Sequence, residues 1–154
     1  MANDNRRGMS SVRVLVVEDF EPFLRAVRSM VGKCRSLQIV GEASDGLEAV
    51  RKAEELQPDL ILLDIGLPTL DGISAARQIC TLSPLSRIIF VTQESDPDIV
   101  REALNLGAAG YVVKMSVARD LLSAVDAALD GTQFLSAGLA AQEFTTEAQT
   151  VSAF

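Results

Sequence analysis

The chain has 154 residues, 48% of them hydrophobic and 23% charged, which excludes a disordered chain and fits one domain with a sizeable core. Fourteen basic residues stand against 21 acidic ones, a net charge of -7, so the cationic surplus used for binding nucleic acid or anionic membranes is missing. Histidine is absent, which excludes His metal ligands, a His general base and a phosphohistidine carrier.

Residues 1–11 read as a disordered polar tail, because Arg6 and Arg7 are followed by no apolar signal-peptide core. No apolar run nears the ~20 residues of a membrane span, so a cytoplasmic protein is expected. Cys34 and Cys80 share no ligand motif and read as reduced core residues, a disulfide or reactive thiol being the alternative.

From residue 12 two periods alternate. Val12 to Val17 is a β-branched run of strand length, followed by Phe20, Leu24, Val27 and Val31 at helical spacing, ending near Gly32. Leu37 to Ala43 reads as a second strand, closed by the turn Ser44-Asp45-Gly46. The next helix is expected to bury Leu47, Val50, Ala53 and Leu56 and to stop at Pro58. Leu60 to Leu63 is a continuous apolar run, as in a strand covered on both faces.

Asp71-Gly72 opens a third helix, with Ile73, Ala76, Ile79 and Cys80 expected on its buried side. Arg87 to Val91 is a fourth strand. Asp96-Pro97, a cap followed by Pro at the first helical position, starts a helix burying Val100, Ala103 and Leu104 and ending at Gly107. Ala109 to Val113 is a fifth strand, and a last helix from Val117 to Leu129 buries Leu121, Val125 and Ala128. Five βα units in about 120 residues predict an α/β fold, a doubly wound parallel sheet. Residues 132–154 read as a C-terminal tail, either a linker remnant or a short extra helix.

The strand ends carry the chemistry. Glu18-Asp19 follows the first strand, Asp64 the third, Thr92 the fourth and Lys114 the fifth. In open α/β sheets ligands bind outside the carboxyl ends of the strands, and a strand order of 2-1-3-4-5 makes these four ends neighbours. Singly, each residue is as well explained as a helix cap, a turn residue or a solvated charge. Together, three carboxylates repel and call for a hard divalent cation, for which Mg²⁺ with its retained waters suits one or two carboxylates plus phosphate oxygens. Lys114 offers a point charge for a phosphoryl group and Thr92 a donor. On these grounds Asp64 is the phosphoacceptor nucleophile, Asp19 the main metal ligand, and Glu18 acts through water.

Val16-Val-Glu-Asp19, Leu62-Leu-Asp-Ile-Gly-Leu-Pro68 with Asp71-Gly72, Val91-Thr92 and Gly107-Ala-Ala-Gly-Tyr-Val-Val-Lys114 resemble, in order and spacing, the receiver domain of bacterial two-component response regulators. The resemblance covers residues 12–131 and implies a CheY-like, flavodoxin-like (βα)5 fold. It implies transfer of a phosphoryl group from a sensor kinase phosphohistidine, or from a phosphotransfer protein, to Asp64. Asp19, Asp64 and the backbone carbonyl of Gly66 are the implied Mg²⁺ ligands. Thr92 and Tyr111, the only tyrosine, are the implied switch pair, acting on the face of the fourth helix, fifth strand and fifth helix. Such a domain catalyses its own phosphorylation and dephosphorylation and is not a conventional enzyme. A receiver-like interaction module that no longer uses phosphate is the alternative, and the output protein is unknown.

Two departures bear on this. Met115 replaces the Pro that often follows the Lys, and a cis bond without Pro costs about 2.5–4 kcal/mol, so a trans Lys114–Met115 peptide is expected. Receivers that precede helix-turn-helix output domains often also lack this Pro, and Gly131 to Ser136 looks like the end of one, yet no recognition helix or basic segment follows. A single-domain regulator or a piece of a longer chain is expected, with no direct nucleic-acid binding by these residues. Arg101, Glu102, Lys114, Arg119 and Asp120 offer complementary charges for a homodimer through the fourth helix, fifth strand and fifth helix. Gly66 and Glu94, two residues beyond Asp64 and Thr92, are expected to tune dephosphorylation.

Overall fold

Six strands form one sheet in the computed structural model, which describes residues 11–140. The tail expected over 1–11 lies outside the described residues except for Ser11, and so does the part of the C-terminal tail beyond residue 140. The strands are β1 (Val12–Val17), β2 (Leu37–Ala43), β3 (Leu60–Leu63), β4 (Arg87–Thr92), β5 (Gly110–Val113) and β6 (Phe134–Leu135), in the order β2-β1-β3-β4-β5-β6. This is the flavodoxin-like order expected, extended by one short strand. By contact density the chain divides after Ile88 into two compact units.

In the first unit, β1 pairs in parallel with β2, from Val12 opposite Leu37 to Val17 opposite Ala43, and with β3, from Val14 opposite Leu60 to Val17 opposite Leu63. Val14 to Val17 and Leu60 to Leu63 are buried, as runs covered on both faces must be. Because Val17 and Leu63 are in register, the chain leaves both strands at the same level.

Three helices complete this unit: α1 (Glu21–Gly32), α2 (Gly46–Leu56) and α3 (Gly72–Leu82). Asp45 caps α2 by accepting from the Glu48 amide at 2.8 Å, and Glu48 reaches back to the Ser44 amide at 2.8 Å, close to a capping box. Gln57 ends α2 in the left-handed region, φ 47°, and its side-chain amide bonds the Glu54 carbonyl at 2.9 Å. Asp71 caps α3 through the Ser74 amide at 2.9 Å.

Two apolar assignments shift by one residue. Leu47 is 54% exposed; α2 buries Gly46, Ala49, Val50 and Ala53, a stripe at i, i+3, i+4 and i+7 that leaves Leu47 about 100° away. Cys80 is exposed and Cys34 only partly buried, so neither is a core residue, and neither is in a disulfide. On α3 the buried positions are Gly72, Ile73, Ala75, Ala76 and Ile79.

In the second unit β5 pairs in parallel with β4, from Ile89 opposite Gly110 to Thr92 opposite Val113, and with β6 through Gly110–Phe134 and Tyr111–Leu135. Its helices are α4 (Pro97–Asn105), α5 (Val117–Leu129) and α6 (Ala137–Ala140), with a 3-10 turn over Lys114–Ser116. Asp96 caps α4 and Pro97 fills its first turn, as expected. Gly107 follows with φ 92°, a conformation that favours glycine. Val100, Ala103, Leu121, Val125 and Ala128 are buried, while Leu104 is half-buried. The Lys114–Met115 peptide is trans, like every peptide bond among the described residues.

Candidate functional site

The register of β1 against β3 builds the acidic end of the first unit. The Asp64 amide donates to the Val17 carbonyl at 3.2 Å and the Glu18 amide to the Ala43 carbonyl at 2.9 Å, so the ladder ends where the acids begin. Oxygens of Glu18, Asp19 and Asp64 all lie within 4.8 Å of one another. Glu18 and Asp64 are 3% and 5% exposed and Asp19 is exposed, so the cluster is buried on one side and open on the other.

Local backbone donors orient the buried pair. The Phe20 amide donates to Glu18 Oε2 at 3.1 Å, and the Gly66 amide to Asp64 Oδ1 at 3.3 Å. Both carboxylates are thus held by main-chain donors of the loops that carry them. An oxygen-only donor set with two buried members suits a small hard cation that keeps some of its waters, so the residues present fit Mg²⁺.

Glycine makes this loop possible. The Gly72 amide donates to the Ile65 carbonyl at 2.8 Å, and a side chain at Gly72 would overlap the Asp64 carbonyl oxygen. A side chain at Gly46 would overlap the Leu70 carbonyl in the same way. Gly66, by contrast, has open space around it.

In the second unit, Thr92 ends β4 at 2% exposure and Lys114 follows β5, partly exposed. Tyr111 is fully buried, its ring 6.0 Å from that of Phe90 and tilted by 41°. Its hydroxyl donates to the Glu94 carbonyl at 2.6 Å, while the Glu94 amide donates to Thr92 Oγ at 3.2 Å. Thr92 and Tyr111 are therefore joined through the backbone of Glu94. Sequence reasoning noted Glu94 only for its charge, and no residue type signals a link made by main-chain atoms.

Asp120 also differs from expectation. It is 6% exposed, bound to Arg119 Nε at 3.0 Å and to the Ser136 hydroxyl at 2.9 Å. Arg119, first, and Ser136 hold its carboxyl below the usual aspartate range against the opposing effect of burial. A carboxylate so engaged is not available as a complementary charge for a second copy.

The family model of the response regulator receiver domain matches residues 14–126. The transcriptional regulatory protein LiaR of Bacillus subtilis is 36% identical over 129 residues, 84% of this chain and 61% of that protein. A protein-glutamate methylesterase/protein-glutamine glutaminase of Methanosarcina mazei is 36% identical over 119 residues, 76% of this chain and 33% of its own length. The chain thus spans about three fifths of the first relative's length and a third of the second's. Among solved structures, a LuxR-family two-component response regulator from Aurantimonas matches with a TM-score of 0.83 at 29% identity, over 90% of this chain and 99% of that one. The receiver domain of a NarL response regulator from Mycobacterium tuberculosis gives 0.73 at 33% identity, over 78% and 98%. No helix among the described residues is long and apolar enough to cross a membrane.

Proposed function

From its membership in the response regulator receiver family of two-component systems, to which this chain belongs, we propose that it works as a phosphoacceptor switch with Asp64 as the acceptor. The observation that carries the reading is the acidic cluster of Glu18, Asp19 and Asp64, half-buried at the ends of two strands in register.

A carboxylate oxygen of Asp64 attacks the phosphorus of a phosphohistidine on a sensor kinase or phosphotransfer protein. The new P–O bond forms as the P–N bond breaks, and the imidazole nitrogen leaves with the electron pair and takes up a proton. Mg²⁺, held by Asp19, Asp64 and the Gly66 carbonyl with Glu18 through water, would neutralise phosphoryl oxygen charge. Lys114 contributes a fixed positive charge to the transferred group and Thr92 a hydroxyl donor. Positioning and charge neutralisation are most of what this reaction requires. Hydrolysis of the acyl phosphate by water, on the same residues, resets the domain, with Gly66 leaving room for that water and Glu94 setting local charge.

Phosphorylation adds about -1.5 to -2 charges at neutral pH. The Thr92 hydroxyl is drawn toward the phosphoryl group, and the shared Glu94 backbone passes that movement to Tyr111 and so to the face of α4, β5 and α5. Full conversion from 1:99 to 99:1 would take about 5.5 kcal/mol of differential contacts. That face is where a cytoplasmic output partner or a second copy docks.

The test is intact mass after incubation with a small phosphoramidate donor, with and without Mg²⁺, beside Asp64→Asn. One added phosphoryl group that needs both Mg²⁺ and Asp64 supports the reading. No adduct on folded protein would replace it with a phosphate-independent interaction module.

A further inference from the structure

The outer edge of β5 is finished by a side chain. In a parallel ladder one residue of the edge strand donates its amide and accepts through its carbonyl on either side of its partner. Ser136 donates its amide to the Tyr111 carbonyl at 3.0 Å, but its own carbonyl is taken by the Leu139 amide at 2.9 Å, where α6 begins. The Ser136 hydroxyl fills the vacant acceptor place, receiving the Val113 amide at 3.1 Å.

The same hydroxyl gives its proton to Asp120 Oδ2 at 2.9 Å. Ser136 is 1% exposed and Asp120 6% exposed. Burying a carboxylate is costly, and an apolar pair of the same volume often packs at no loss. Here the buried carboxylate fixes one hydroxyl, which in turn fixes one amide, that of the residue immediately before Lys114.

We propose that Ser136 is a positioning residue for Lys114: the chain Asp120–Ser136–Val113 sets where β5 ends and the 3-10 turn carrying the lysine starts. The proposal rests on the reading of Lys114 as the group that receives the phosphoryl charge. It also makes the segment that carries Ser136, just after β6, part of the reaction's geometry.

The experiment uses the full chain and phosphoryl addition from a small phosphoramidate with saturating Mg²⁺, followed by intact mass. Ser136→Ala, Ser136→Thr, Asp120→Asn and, as a control on the exposed side of α5, Ser123→Ala are compared, each with hydrogen exchange of the peptide over 112–114. Ser136→Ala slows addition at least about fivefold and speeds exchange at Val113, Ser136→Thr restores both, and Ser123→Ala changes neither. In a Lys114→Met background, Ser136→Ala brings no further loss, which a general weakening of the fold would not produce. Addition at the wild-type rate in Ser136→Ala, or losses that simply add to that of Lys114→Met, overturns the positioning role while leaving the phosphoacceptor reading intact. A wild-type chain that accepts no phosphoryl group removes both. If Ser136→Ala does not fold, Asp120→Asn and Ser136→Thr decide by the same criteria.

Discussion

Tyr111 donates its hydroxyl to the backbone carbonyl of Glu94 at 2.6 Å, and the amide of that same residue bonds Thr92 Oγ. The loop after β4 is thereby tied at one residue to both a strand-end hydroxyl and a fully buried ring. Tyr111→Phe keeps the ring against Phe90 and removes this tie. The expected cost is about 0.5–1.5 kcal/mol in unfolding free energy, with faster hydrogen exchange confined to the residues around Glu94. Phosphoryl addition at Asp64 continues in this variant, whereas the conformational response to it is weakened.

The three carboxylates predict an inverted relation between stability and metal binding. Asp19→Asn removes one of three like charges and raises Tm in metal-free buffer by about 1–2 °C. The same change abolishes most of the stabilisation that Mg²⁺ gives the wild type. Thermal unfolding of both proteins with and without Mg²⁺ reads this directly; a variant that is less stable without metal and equally stabilised with it contradicts the account.

Glycines near the site separate into two classes. A methyl at Gly46 or Gly72 meets backbone carbonyl atoms, which have nowhere to move, so Gly46→Ala and Gly72→Ala each cost at least about 1–3 kcal/mol. Gly66→Ala meets nothing and folds as the wild type, and its effect is on the lifetime of the phosphorylated form. Chemical denaturation of the three variants, with decay of the phosphoryl adduct for Gly66→Ala, checks both statements.

Asp120 gives a pH dependence of definite sign. Arg119 and Ser136 hold its carboxyl below the usual aspartate value near ~3.9, so its contribution to stability is complete above that pH and is lost as the pH falls through its lower folded-state value. Glu42, lowered chiefly by Arg28, and Glu48, lowered chiefly by the Ser44 amide, act in the same direction. Urea midpoints measured between about pH 6 and about pH 3 fall for the wild type and fall less steeply for Asp120→Asn. Equal slopes would show that the buried pair does not titrate with folding.

The strand ends and their residues were legible in the sequence because each strand is a run of β-branched or aliphatic residues closed by a charge or hydroxyl. Leu60 to Leu63 followed by Asp64 is the plainest case. What the sequence did not show falls into two kinds. Leu47 and Cys80 sit one residue beside the buried stripe of their helices, an angular error that counting apolar residues does not resolve. β6, the Glu94 link and the Ser136 hydroxyl rest on contacts between main-chain atoms and residues far apart in the chain, for which no local period exists. Phe134 and Leu135 are too few to alternate visibly, and their strand exists because β5 offers an edge.

Locating the phosphoryl group on the chain tests most directly whether Asp64 is the acceptor. Borohydride reduces an aspartyl phosphate to homoserine, so reduction after phosphoramidate treatment, followed by peptide mass analysis, marks the acceptor. Homoserine is expected at position 64, dependent on Mg²⁺ and absent from Asp64→Asn. Conversion at Glu18, at Asp19 or at no position in folded protein would contradict Asp64 as the acceptor.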